Sequence, residues 1–543
     1  MRNKVKKTMS VALSALLIAG ALSAAGCKKT PDTEETLEVY CYNAGYGYKW
    51  CEDMLEAFKQ KDWVKEKYPN LTVIFSQNQV GSFAQSKLTS GAGANSIDLF
   101  FAVNAFDLAG IDSKGNDYLA ELTELVYNKT VPGEQVTFKE KTLDSYNQSN
   151  RYNDVSDTSG REKYYFTSWA AGTDGILYNA DLLKQYSIEV PRTTDEWLAS
   201  LAKIKAAKGE NGYVIMQSKD APNYVDYLFP IWWAQYEGAQ GISDFYNGID
   251  SGRRSTGIFD QQGRLESLIV LEQTVNKTND YIDPNSFTYE YIVAQTEFLR
   301  GKAVYHMNGD WFDNEMKEKK AEVIANGGEN YDIKMMRTPV ISAIVEKTPS
   351  IKAVAAARGI SADAALSIVV KAVDAHEDGV EGVSDEDYEI IKEARSVIHS
   401  IGPNHTAFIP SYAVGKNVAA DFLLFMATDE ANEIYSKATG GATLPFRYDI
   451  AQSAPETYAQ FSDFQKDKLS FINDEFTGCY VIPGENAFPL VRFGGLKPFV
   501  NSNYYTTFSM SGNTKTPQDY FNETKAYWTD AKWTDALSKA GIG

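Results

Sequence analysis

The chain has 543 residues and a formal charge of −19, from 53 Lys and Arg against 72 Asp and Glu. That length accommodates two or more ordinary domains, and so acidic a balance argues against nucleic acid or anionic lipid as the main partner. The 33 tyrosines exceed what a core asks for, and a ring with a polar tip suits a wet ligand-contact surface.

In chain order, Arg2, Lys4, Lys6 and Lys7 precede an apolar run from Val11 to Leu22. The run is too short and Ala-rich for a permanent span, which takes about 20 apolar residues. Charged start, short apolar middle and small residues at the end have the form of a secretory signal over 1–26. Ala24-Ala25-Gly26-Cys27 resembles a bacterial lipobox, with Ala24 where leucine is usual. The resemblance implies lipid on Cys27, followed by a polar tether over 27–36, and anchoring of the mature chain at the extracytoplasmic face of the cell membrane. Cys41, Cys51 and Cys479 remain. Free, buried thiols are expected, with a Cys41–Cys51 bridge left open. No C-x-x-C pair, His cluster or EF-hand loop offers a metal site, and no cofactor is expected.

Thr36–Tyr42 alternates like a first strand, Tyr48–Trp63 has helical spacing, and Leu71–Phe75 reads as a second strand. A helix from about Ser82 leads to Ile97–Val103, apolar enough to be a strand buried on both faces. This order implies a parallel sheet with right-handed crossovers. Ligands of such sheets sit beyond the carboxyl ends of the strands, which nominates Tyr42, Asn43 and Tyr46 after the first strand and Asn104 and Asp107 after the third. Thr193 and Glu196 are spaced as a capping box opening a helix.

Four segments, in order behind the lipobox, carry a family resemblance. They are Gly175–Leu183 with Val190–Trp197, Phe298–Trp311, Val418–Lys437 and Gly440–Pro445. Together they resemble the extracellular solute-binding proteins of carbohydrate ABC importers, the maltose-binding-protein-like group. The resemblance implies an α/β fold of two lobes joined by three crossovers, near Tyr165–Thr173, Lys334–Pro339 and Gly440–Pro445. Lobe 1 is then 37–168 plus 340–439, and lobe 2 is 173–337 plus 444–543. The Ala-rich stretch at about 345–405 exceeds the family pattern and is expected as a helical insertion on lobe 1.

The function so implied is capture of a sugar or oligosaccharide in the interlobe cleft and delivery to an ABC permease, by a chain expected to be monomeric and not an enzyme. Flat rings against sugar faces and polar groups at the hydroxyl edges make such a site. Trp311 matches the family's sugar-stacking tryptophan, and Asp310 beside it is placed to accept hydroxyl protons. Trp232, Trp233 and Glu237 lie where relatives line the cleft. Adjacent tryptophans on a helix point about 100° apart, so one of the two is expected to reach ligand. Trp169, near Asp174 at the first crossover, is read equally as stacking floor or hinge packing. Two alternatives stay open: a secreted carbohydrate-active enzyme, and a sensory lipoprotein not coupled to transport. The chain has 4 histidines and no Gly-x-Ser-x-Gly elbow, while a carboxylate pair stays open on residue counts.

Overall fold

The computed structural model describes residues 32–103, 108–110, 117–152, 161–210, 212–219, 223–501, 504–510 and 512–542. Cys27, Asn104 and Asp107 lie outside the described residues.

The first lobe opens as β1 (Thr36–Tyr42), α1 (Lys49–Gln60), β2 (Thr72–Asn78), α2 (Phe83–Thr89) and β3 (Leu99–Val103). Helix α1 forms where apolar residues recur at Trp50, Met54, Leu55 and Phe58, and it buries that stripe. Strands β2, β1 and β3 are parallel neighbours, with Leu37 opposite Val73 and Val39 opposite Leu99.

The chain then runs through β4 (Thr167–Ser168), β5 (Asp174–Asn179), α3 (Thr194–Lys208), β6 (Ile215–Met216), α4 (Leu228–Asn247), α5 (Gln262–Val275), α6 (Tyr291–Leu299), β7 (Tyr305–Gly309) and β8 (Ile333–Met336). A second sheet takes the order β8-β5-β7-β6. At the start of α3, Thr193 accepts from the Glu196 backbone at 3.2 Å, but the Glu196 carboxylate accepts from the Arg192 N–H at 2.7 Å. Only one half of the expected capping box forms, and the other donor lies one residue upstream.

Helices α7 (Pro349–Arg358), α8 (Ala362–Asp374) and α9 (Asp385–Ser396) follow. The chain returns to the first sheet as β9 (His405–Phe408), antiparallel to both β3 and β4, for a strand order β2-β1-β3-β9-β4. The arrangement is the two-lobed α/β fold expected.

The helical stretch is not where it was expected. Ile351, Leu366, Val370 and Ile391 share one core with Trp197, Trp232 and Leu268 of the second lobe, and Asp363 accepts from Thr193 at 3.0 Å. Helices α7 to α9 therefore pack on lobe 2, not lobe 1. Helix α9 packs on α4, and α7 and α8 pack on α9, and the second crossover moves from Lys334–Pro339 to the segment around 399–404.

The crossing segments lie side by side. The Asp174 N–H donates to the His399 carbonyl at 2.9 Å, and the Ala171 N–H donates to the Thr443 carbonyl at 2.8 Å. Thr443 returns a hydroxyl bond to the Ala171 carbonyl at 2.6 Å. Buried backbone is thereby satisfied where the chain leaves both sheets.

Candidate functional site

A cavity of about 380 Å³ lies between the lobes, beyond the carboxyl ends of β1 and β3. Lobe 1 contributes Tyr42, Gly45, Tyr46 and Val103. Lobe 2 contributes Tyr224, Tyr291, Trp311 and Glu315, while Ile401 comes from the second crossing and His405 from the start of β9.

Trp311 follows β7 directly and sits in a slot between two glycines. A Cβ on Gly45 would stand 2.8 Å from the indole Cγ, and one on Gly309 would overlap the ring. The edges of Tyr46 and Tyr224 meet the indole at 6.1 and 5.8 Å between centroids. Only 4% of Trp311 is exposed, so the residue is at once cavity wall and interlobe packing.

Behind that wall the lobes are tied by polar contacts. Tyr46 Oη donates to Asp310 Oδ1 at 2.8 Å, and Asn314 Nδ2 donates to the Gly45 carbonyl at 2.9 Å. Lys468 Nζ donates to the Asp310 backbone carbonyl at 3.0 Å. Burial holds the Asp310 carboxyl above the usual range, opposed by the Lys468 charge and the Tyr46 bond. Asp310 therefore positions Tyr46 rather than presenting its carboxyl to the cavity, contrary to the expectation of direct hydroxyl contact. Gly172 is required here, because a Cβ would strike both Tyr46 Oη and Asp310 Oδ1.

Trp169 lies one layer down. Its indole N–H donates to the Ala102 carbonyl at 2.9 Å, its ring stacks on Trp50 at 5.4 Å, and it makes a T-shaped contact with His405 at 4.8 Å. It supports the cavity floor without lining it. Asp174 Oδ2 is 2.8 Å from His399 Nδ1, and Tyr227 stacks on that imidazole at 4.9 Å. Asp174 thus belongs to the hinge.

Three nominations fail on tertiary grounds. Trp232 and Trp233 are both buried in the second lobe, donating to the Pro339 carbonyl at 3.1 Å and Gln261 Oε1 at 2.9 Å. Glu237 accepts from the Gly263 N–H at 2.7 Å, in the first turn of α5. All three are held away from the cavity because α4 is covered by α5 on one side and the additional helix α9 on the other. Asn43 is tied to Gln77 at 2.8 Å and does not line the cavity.

The cavity also uses residues that sequence reasoning passed over. Glu315, four positions after Trp311, accepts from Gln295 Nε2 at 3.0 Å, and its i+4 spacing was a usable signal. Tyr224, Tyr291, Ile401 and His405 carried none, since they arrive from separate elements. Burial lowers His405 to about 4, so the imidazole is neutral at physiological pH. Cys41, Cys51 and Cys479 are free thiols. Among the described residues there is no cluster of His, Cys, Asp and Glu suited to a metal ion, and no single helix is long and apolar enough to cross a membrane.

The family model described as bacterial extracellular solute-binding protein matches residues 52–433. No curated protein matches the chain. Among solved structures, one from work on xylan utilization by the thermophilic bacterium Caldanaerobius polysaccharolyticus is 14% identical, with a TM-score of 0.54 over 91% of this chain and 100% of that one. The substrate-binding protein Lmo0181 of Listeria monocytogenes, in complex with cycloalternan, is 13% identical, with a TM-score of 0.53 over 94% and 99%. RafE in complex with raffinose is 14% identical, with a TM-score of 0.51 over 92% and 99%. At these identities the likeness is one of fold.

Proposed function

The chain belongs to the bacterial extracellular solute-binding protein family, and from that premise we propose that it captures a sugar or oligosaccharide between its lobes and hands it to an ABC permease. The observation that carries this reading is the cavity itself, walled by Tyr42, Tyr46, Tyr224, Tyr291 and Trp311 drawn from both lobes. Aromatic rings offer flat apolar surface to C–H faces, and phenol tips and Glu315 offer hydrogen bonds to hydroxyl edges. Structures of the same fold hold raffinose and cycloalternan, which supports a saccharide here. The protein works by binding, as a monomer, with no chemical step on its ligand.

A thermal-shift screen of the chain from Lys28 onward, against mono- and oligosaccharides, amino acids and polyamines, tests the ligand class. Saccharides are expected to raise the melting temperature, and stabilisation by amino acids or polyamines alone would replace the reading. A ligand touching both lobes favours the closed state. Scattering should accordingly give a smaller radius of gyration with the saccharide hit at saturation than without it.

Cys27, on this reading, is the lipidated first residue of the mature protein, supported by the basic start, the apolar run and Ala24-Ala25-Gly26 before it. Cys27→Ser is expected to release the protein from the cell or to leave the precursor uncleaved. Membrane retention of a cleaved, mature Cys27→Ser chain would refute the anchor.

A further inference from the structure

Among the described residues that line the cavity, Glu315 is the one carboxylate and there is no Lys or Arg. His405, the one nitrogen base among the described lining residues, is neutral because burial lowers it to about 4. Asp310 and Asp174 stand behind the wall and carry charge of the same sign when ionised. Lys468, beside Asp310, is buried and spent on the Asp310 carbonyl.

Glu315 is held in place rather than free to swing aside. Gln295 Nε2 donates to its Oε2 at 3.0 Å, and Gln295 is itself buried on α6. Burial keeps the Glu315 carboxyl above its ordinary range, with the Gln295 bond opposing. After burial, its charge is the next cause raising the phenols of Tyr42 on lobe 1 and Tyr224 on lobe 2. The field of Glu315 therefore reaches across the cavity to both walls.

Resting on the saccharide reading above, we infer that Glu315 is a charge filter, admitting uncharged sugar rings and turning away sugars that carry a carboxylate or phosphate. A neutral pyranose gives the carboxylate hydroxyl donors to accept from. An acidic sugar in the same place sets a second negative charge within a few ångströms of the first, in a site with little solvent to screen them. No positive group among the described lining residues compensates it.

The test compares a neutral oligosaccharide that binds in the thermal-shift screen with its uronate counterpart, in which one CH₂OH is oxidised to carboxylate. Titration calorimetry at pH 8 on the wild-type chain should show at least about ten-fold weaker binding of the uronate. Glu315→Gln keeps the shape and a bond to Gln295, and its neutral-to-uronate ratio should fall below about three-fold, with the melting temperature reported alongside. Wild-type protein that binds the uronate as tightly as the neutral sugar overturns the inference. So does a Glu315→Gln chain that keeps the wild-type ratio, or one that is folded and binds neither sugar, since that makes Glu315 an anchor instead of a filter. If no saccharide of either kind binds the wild-type chain, it is the carbohydrate reading that has failed, and the inference falls with it.

Discussion

Trp311→Ala is expected to weaken saccharide binding about ten- to hundred-fold. Removing a large apolar ring that packs on ligand forfeits roughly 1.5–3 kcal/mol, and each 1.4 kcal/mol is tenfold in affinity. The same substitution is expected to destabilise the fold by about 3–5 kcal/mol, because the indole fills the slot between Gly45 and Gly309 and touches Tyr46 and Tyr224. Loss on both counts is the signature of a residue that is wall and packing together. Gly309→Ala gives an independent arm, since its Cβ overlaps the ring and pushes the indole out of the slot without deleting it. Calorimetric titration and thermal melting of both variants decide the matter. Wild-type affinity in a destabilised but folded Trp311→Ala chain would remove Trp311 from the binding surface.

Asp174 is expected to stabilise the fold increasingly as pH falls from 7 toward 4.5, against the opposite trend of His306 and His405, whose imidazoles burial lowers to about 4. Its side chain is fully buried beside His399, and burial pushes the carboxyl from 3.8 to about 6, with Asp310 adding to the rise and His399 opposing it. Above about 6 the group is ionised in both the folded and unfolded chain, and the folded state bears the cost of burying the charge. Between the two values the folded state holds a proton that the unfolded state has released, so acid favours folding. At about 1.4 kcal/mol per decade in proton affinity, the gain approaches about 3 kcal/mol near pH 4. Asp174→Asn retains an acceptor for His399 and cannot titrate. Urea unfolding of both chains at pH 7 and 4.5 should show the wild type gaining relative to the variant. Equal pH dependence in the two would show that Asp174 does not titrate in this window.

The sequence by itself determined the local elements and their order. Apolar spacing at Trp50, Met54, Leu55 and Phe58 requires a helix that packs on one side, and the wholly apolar Leu99–Val103 requires a strand buried on both faces. From that order followed the parallel start of the first sheet, and with it the placing of Tyr42 and Tyr46 at a strand's cavity-facing end. Trp311 was legible for another reason, in that a segment resembling a family motif, Gly309 included, ends on it. What only the tertiary structure decided is which surfaces each helix meets. The pattern of α4 shows that Trp232 and Trp233 are apolar but not what covers them, and the cover comes from α5 and, more than a hundred residues later in the chain, from α9. For the same reason the helical stretch was assigned to the wrong lobe: an amphipathic helix specifies that one face is buried, and any apolar surface of matching shape satisfies it. Glu315, Tyr224, Tyr291 and His405 become a site only when four distant elements converge, a fact of chain path rather than of local spacing. The tie between Tyr46 and Asp310 spans 264 residues, and no periodicity in the chain encodes a contact at that separation.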